Sequence, residues 1–189
     1  MSTGASDSVV YREGLFTPAE AAACTGLSPA MQRNWRQAGH LPARTTGVAL
    51  FGPRDLAAIR LMVVLREVGL GPALSRPVAE EAAPSVVWLA LTDHPETWTV
   101  AGPPEAADAY RQRLETLGDR NLRDMAGLMG RAFAYGVAQG KTVQFFSEID
   151  SETFNEDDEV ESVIKLRAIA ARIAREATQP LFTISTPNR

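Results

Sequence analysis

The sequence predicts a mainly α chain with an α+β carboxy-terminal part. Three observations predict it. Two helix starts of the same kind, Thr17-Pro18 and Ser28-Pro29, lie close together with Gly26-Leu27 between them. A turn signal at Thr46-Gly47 then separates Ala43-Arg44 from Phe51, and a third start follows at Pro53. Beyond about residue 85, short apolar runs, turn chemistry and helical periodicity alternate, which is the mixture expected of a small α+β unit.

Thr17 is suited to cap the first helix: its hydroxyl can accept from the backbone of Glu20, Glu20 can reach back, and Pro18 occupies the position where no N–H is needed. Gly26 closes this helix and Leu27 enters the core. Ser28 caps the second helix, where Leu27, Met31, Trp35 and Ala38 recur at helical spacing and are expected to face inward. Gly39 ends that helix and His40-Leu41-Pro42 turns the chain. Residues 43–51 suit a short hairpin wing, and Leu56, Ile59, Met62, Val63 and Leu65 through Leu70 mark a third helix broken by Gly71-Pro72. A short helix restarts at Ser75-Arg76-Pro77 and runs to about Ala83. Helix, short turn, helix, wing and helix make a winged helix-turn-helix, an arrangement that presents its second helix to a DNA major groove.

Charge is divided along the chain in the same sense. Residues 1–76 hold eight arginines (12, 33, 36, 44, 54, 60, 66 and 76) against five acids, a balance of +3, while the remainder carries −7 of the net −4. A polyanion responds to the face that docks and not to the whole-chain sum. The single cysteine, Cys24, allows neither an intramolecular disulfide nor a multi-cysteine metal site and points to a reducing cytoplasm. No run of about 18 apolar residues occurs, and the leading residues are small and polar, so neither a membrane span nor a secretory signal is read. Residues 1–15 are assigned to a flexible tail, 16–84 to the winged module and 85–189 to an α+β dimerisation or regulatory domain.

In that second half, Val86-Val87-Trp88-Leu89-Ala90-Leu91 reads as a buried strand returning through Asp93-His94-Pro95-Glu96 to Thr97-Trp98-Thr99-Val100. Helices are expected from Pro104 to about Gly118, from about Leu122 to Ala138, and from Val160 to Ala177. Strands are expected at residues 142–146 and 181–185.

The amino-terminal residues resemble a known family. Phe16-Thr17-Pro18-Ala19-Glu20-Ala21-Ala22, Thr25-Gly26-Leu27-Ser28, Arg33, Trp35, Gly39 with Leu41-Pro42, Phe51 with Asp55-Leu56, and Leu65-Arg66-Glu67-Val68-Gly69-Leu70 are similar to the winged-helix DNA-binding domain of the MerR family, over residues 16–83. The resemblance implies a homodimeric, sequence-specific transcriptional regulator on pseudo-palindromic double-stranded DNA, with the second helix in the major groove and the wings on the backbone. Asn34-Trp35-Arg36-Gln37 replaces the family's Tyr-Tyr-Glu-Arg type of run, and Phe51 lacks the preceding Gly-Tyr-Arg, so base preference does not carry over. The chain also lacks the long dimerisation helix with terminal sensor cysteines, which excludes metal sensing of the mercury or copper type.

On the expected outer face, Ser28, Pro29, Ala30, Arg33, Asn34 and Gln37 are the base-contact candidates. Small residues at the helix start permit close approach, Arg can grip guanine O6 and N7, and Asn can pair with adenine N6 and N7. Thr17, Gln32, Arg36, His40, Arg44, Thr45, Thr46 and Arg54 are the phosphate candidates, which fix register without reading sequence. Such a regulator is expected in the cytoplasm, on the nucleoid when bound. No catalytic group, cofactor or metal is expected.

Two other functions compete with this one. A phage-type DNA-binding protein, either a recombination directionality factor or a small packaging subunit, uses similar winged helices and differs in where its site lies. An enzymatic or ligand-binding second half would need a nucleophile with its base, a phosphate loop or a metal cluster, and none is evident. His94 beside Asp93 and Glu96 reads as turn chemistry. The acidic stretch Glu148, Asp150, Glu152, Glu156, Asp157, Asp158, Glu159 and Glu161 lacks the central glycine of a calcium loop and reads as a solvated segment, with contact to a basic protein partner as the sharper alternative. Trp88, Trp98, Tyr135, Phe145 and Phe146 read as ordinary core.

Overall fold

The computed structural model describes residues 10–42, 47, 49–117, 119–149 and 162–185, a mixed α and β structure in which seven helices are joined by two three-stranded sheets. Strand β1 (Val10–Glu13) leads into α1 (Pro18–Thr25), α2 (Pro29–Gln37), α3 (Pro53–Glu67) and the long α4 (Pro72–Asp93). A 3-10 turn at Pro95–Thr97 precedes β2 (Trp98–Ala101), α5 (Pro104–Leu117) and α6 (Asp119–Ala126). Strands β3 (Tyr135–Gln139), β4 (Thr142–Phe146) and β5 (Ser162–Lys165), helix α7 (Leu166–Glu176) and strand β6 (Phe182–Ser185) complete the fold.

The local chemistry of the first helices is realised as the sequence predicts. The Thr17 backbone N–H donates to Glu20 Oε2 at 2.8 Å, and the Glu20 N–H donates to Thr17 Oγ1 at 3.4 Å, closing the capping box. Gly26 ends α1 at φ 76°, a conformation that side-chain-bearing residues disfavour. Ser28 Oγ accepts from the Met31 N–H, so α1 and α2 are separated by a three-residue turn. Phe16 and Phe51 exchange backbone hydrogen bonds of 3.0 and 2.9 Å, an isolated bridge that ties the chain before α1 to the chain before α3.

The second half departs from expectation in several places. Val86–Leu91 is part of α4 and not a strand. A short apolar run fits a helix buried on most of its circumference as well as a buried strand, and α4 packs against α3, α6 and α7. The separate helix expected to end near Ala83 is the first part of the same element, which accommodates Pro77 and Pro84 internally. The expected helix 122–138 stops at Ala126, because Gly127 takes φ 68° and the chain re-emerges as β3, paired to β4 through a turn at Gly140 with φ 56°. Of the expected helix 160–177, residues Ser162–Lys165 form β5, antiparallel to β3, before α7 begins. Val10–Glu13, assigned by composition to a tail, is the strand β1, antiparallel to β6, while β2 lies parallel on the other side of β6. The boundary drawn between residues 84 and 85 falls inside α4, and one apolar cluster runs continuously from Phe16 to Ile184.

Candidate nucleic-acid interface

Helix α2 is fixed in place by its inner face. Trp35 is buried and lies 5.9 Å from the guanidinium carbon of Arg66. Gln32 is buried as well: its Nε2 donates to the carbonyls of Pro18 and Leu27, each at 2.9 Å, pinning α2 to the first turn of α1 and to the turn before itself. Gln32 is therefore an internal tether and not a phosphate contact, which corrects the expectation from spacing. The helix exit is held by Arg76 of α4, whose Nη1 donates to the Gly39 carbonyl at 2.7 Å while its Nε pairs with Glu80. Arg66 and Arg76 were absent from the sequence-based set, since only tertiary packing brings them to α2.

The opposite face is open. Ser28, Ala30, Arg33, Asn34 and Gln37 are exposed, and Pro29 is half-buried beside them. Among the described residues, the side chains of Arg33, Asn34 and Gln37 have no hydrogen-bond or ion-pair partner. Met31 is half-buried, and Ala38, expected inward, is exposed because the helix ends at Gln37.

The phosphate candidates are unevenly placed. Thr17 is exposed, with its hydroxyl engaged by Glu20 at 2.7 Å. Arg36 is half-buried, donates from Nε to the Pro42 carbonyl at 3.1 Å and holds its guanidinium 5.5 Å from the Phe51 ring centre. His40 is half-buried, with its N–H donating to the Trp35 carbonyl. Arg54 is exposed at the start of α3, and its guanidinium lies over the Cα of Gly127. Arg44, Thr45 and Thr46 lie outside the described residues, as do residues 150–161 of the acidic stretch.

Behind the candidate face, α1 meets α7. Arg172 donates to the Cys24 and Ala23 carbonyls and Arg60 Nη1 donates to the Thr25 carbonyl, so two guanidinium groups satisfy the free carbonyl end of α1. Burial, with Arg172 adding to it, lowers the Arg60 pKa. Burial also pushes the Cys24 thiol up to about 11, with Glu176 contributing in the same direction. His94 and Glu96 approach to 3.4 Å on the exposed turn after α4. Among the described residues, no helix is long and apolar enough to cross a membrane, and no group of three His, Cys, Asp or Glu side chains is arranged to hold a metal ion. No protein-family description, curated protein or solved structure matches this chain.

Proposed function

We propose that the chain is a sequence-specific double-stranded DNA-binding transcriptional regulator, similar in mode to MerR-type winged helix-turn-helix proteins, that places α2 in the major groove. The observation carrying this reading is the contrast between the two faces of α2. Gln32 and Trp35 hold one side, while Arg33, Asn34 and Gln37 project from the other without hydrogen-bond or ion-pair partners among the described residues. A preorganised polar helix face loses little conformational freedom on docking, and these three side-chain types are suited to base edges. Arg54, and Arg44 with Thr45 and Thr46 in the proposed wing, would take phosphates. Two copies on a pseudo-palindromic site would double this contact and set the half-site spacing.

The test is selection from a random duplex library, followed by titration of the recovered sequence at several salt concentrations. Recovery of a motif is expected, with log affinity falling linearly against log salt. Arg33→Ala is expected to relax preference at one position of the motif at a cost of about 1–3 kcal/mol, whereas Arg54→Ala weakens recovered and random duplexes alike. A library that returns no motif would remove the reading.

A further inference from the structure

A cleft of about 380 Å³ opens between the exit of α2, the residues before α3, and helices α3 and α4. Its size falls within the range of small-molecule sites. Leu41, Phe51, Ile59, Met62 and Ala83 line it and are buried members of the core, which gives one part of its wall an apolar surface. Three arginines, Arg36, Arg54 and Arg76, and two carboxylates, Asp55 and Glu80, also line it.

The charges do not cancel. Asp55 Oδ2 accepts from the Gly52 N–H at 2.9 Å and serves as the cap of α3, and Glu80 is paired with Arg76 at 2.7 Å. Arg36 is directed to Pro42 and Phe51. Arg54 has no carboxylate or carbonyl partner among the described residues. A cleft that joins an apolar wall to an excess of positive charge, with the Arg54 guanidinium free of ion-pair partners among the described residues, matches a ligand with a hydrocarbon body and one anionic end.

We propose that this cleft binds a small amphipathic carboxylate, with its chain or ring against Phe51, Ile59 and Met62 and its carboxylate on Arg54. The proposal does not require the DNA reading, and because Arg36, His40 and Arg54 of the phosphate set also line the cleft, its test is made without DNA. It fits a fatty or aromatic acid, because Leu41, Phe51, Ile59 and Met62 offer apolar contact and Arg54 offers a positive charge.

Isothermal calorimetry on the intact chain, without DNA, tests it with decanoate, 2-naphthoate, decan-1-ol and decyltrimethylammonium as probes. At least one of the two carboxylates is expected to bind. Decan-1-ol should bind at least about tenfold more weakly than decanoate, because it forfeits a charge-assisted hydrogen bond, and the cation should not bind. Arg54→Gln should remove the preference for decanoate over decan-1-ol. Ala58→Phe, on the half-buried α3 position that lines the cleft, should abolish binding, and Ala58→Ser should retain it as a control for folding. Absence of heat with both carboxylates, equal affinity for decanoate and decan-1-ol, or unchanged binding by a folded Ala58→Phe variant would each overturn the assignment.

Discussion

Gln32 shows how one side chain can set the pose of a whole helix. Its amide is enclosed, and it is the only side chain among the described residues that bonds both Pro18 and Leu27 carbonyls. Replacing it with Ala removes the donor from the half-buried Pro18 carbonyl and from the buried Leu27 carbonyl, and the expected loss is about 1–3 kcal/mol, read as a fall in urea midpoint at unchanged slope. A midpoint within error of the parent chain would deny the tether. Periodicity alone put Gln32 at the border of the outer face. The available signal was its position one turn before Trp35, on the side that meets α1, and that signal cannot be weighted without knowing where α1 lies. Cys24 offers a second test at this scale. With its pKa raised from 9.0 to about 11, the folded thiol stays protonated where the unfolded one ionises. Its contribution to stability is complete below pH 9.0 and declines as pH rises towards about 11. Alkylation by iodoacetamide at pH 8 is therefore expected to be slow in the native chain and fast in urea, and equal rates would contradict the burial.

Among the elements, α1 illustrates what local chemistry can specify. Thr17, Pro18, Glu20 and Gly26 announce both its ends, and each performs the role its chemistry implies. Thr17→Ala is expected to cost about 0.5–2 kcal/mol, measured by thermal or denaturant unfolding. Bonds from Thr17, and then from Thr178, lower the Glu20 pKa, so its share of stability is present above the ordinary carboxylate range and is lost as pH falls through the lowered value. Thr17→Ala keeps the backbone N–H bond to Glu20 and removes only the hydroxyl, so it should flatten the acid limb of the stability profile in part, and a limb that disappears altogether would count against the backbone bond as the main cause. Helix α4 illustrates the opposite case. Val86, Val87, Leu89, Ala90 and Leu91 are all buried, so nothing in their order distinguishes a helix surrounded by neighbours from a strand inside a sheet. The β5 strand was illegible for a related reason, since Ser162–Lys165 acquires its conformation from rungs to Tyr135–Ala138, far away in the chain. By contrast, Gly127 was legible punctuation that helical spacing wrongly outweighed.

For the whole molecule, the continuous cluster from Phe16 to Ile184 implies that the amino-terminal helices and the later elements stabilise one another. Helix α7 carries this coupling through Arg172 to α1, and α4 carries it through its full length across the residue 84–85 position. A single calorimetric transition with matching van't Hoff and calorimetric enthalpies is expected, and two resolved transitions would show that the halves unfold separately. The outer face of α2 was readable in sequence because exposed residues answer to solvent and to partners beyond the chain. Its supports were not, because they arrive from α1, α3 and α4.

The pairing of β1 with β6 carries a mechanical consequence. Val10 stands opposite Ser185 in an antiparallel ladder, so the two ends of the described structure leave from the same rung. Tension applied at those ends loads that rung alone and peels the strands apart bond by bond, in contrast to the collective resistance of a sheared ladder. The path then reaches Gly14, whose N–H bonds the Leu181 carbonyl at 2.7 Å, and after it the Phe16–Phe51 bridge at the base of the helical unit. Stretching the chain end to end would therefore begin at this seam and expose the underside of α1 before disturbing the turn that orients α2.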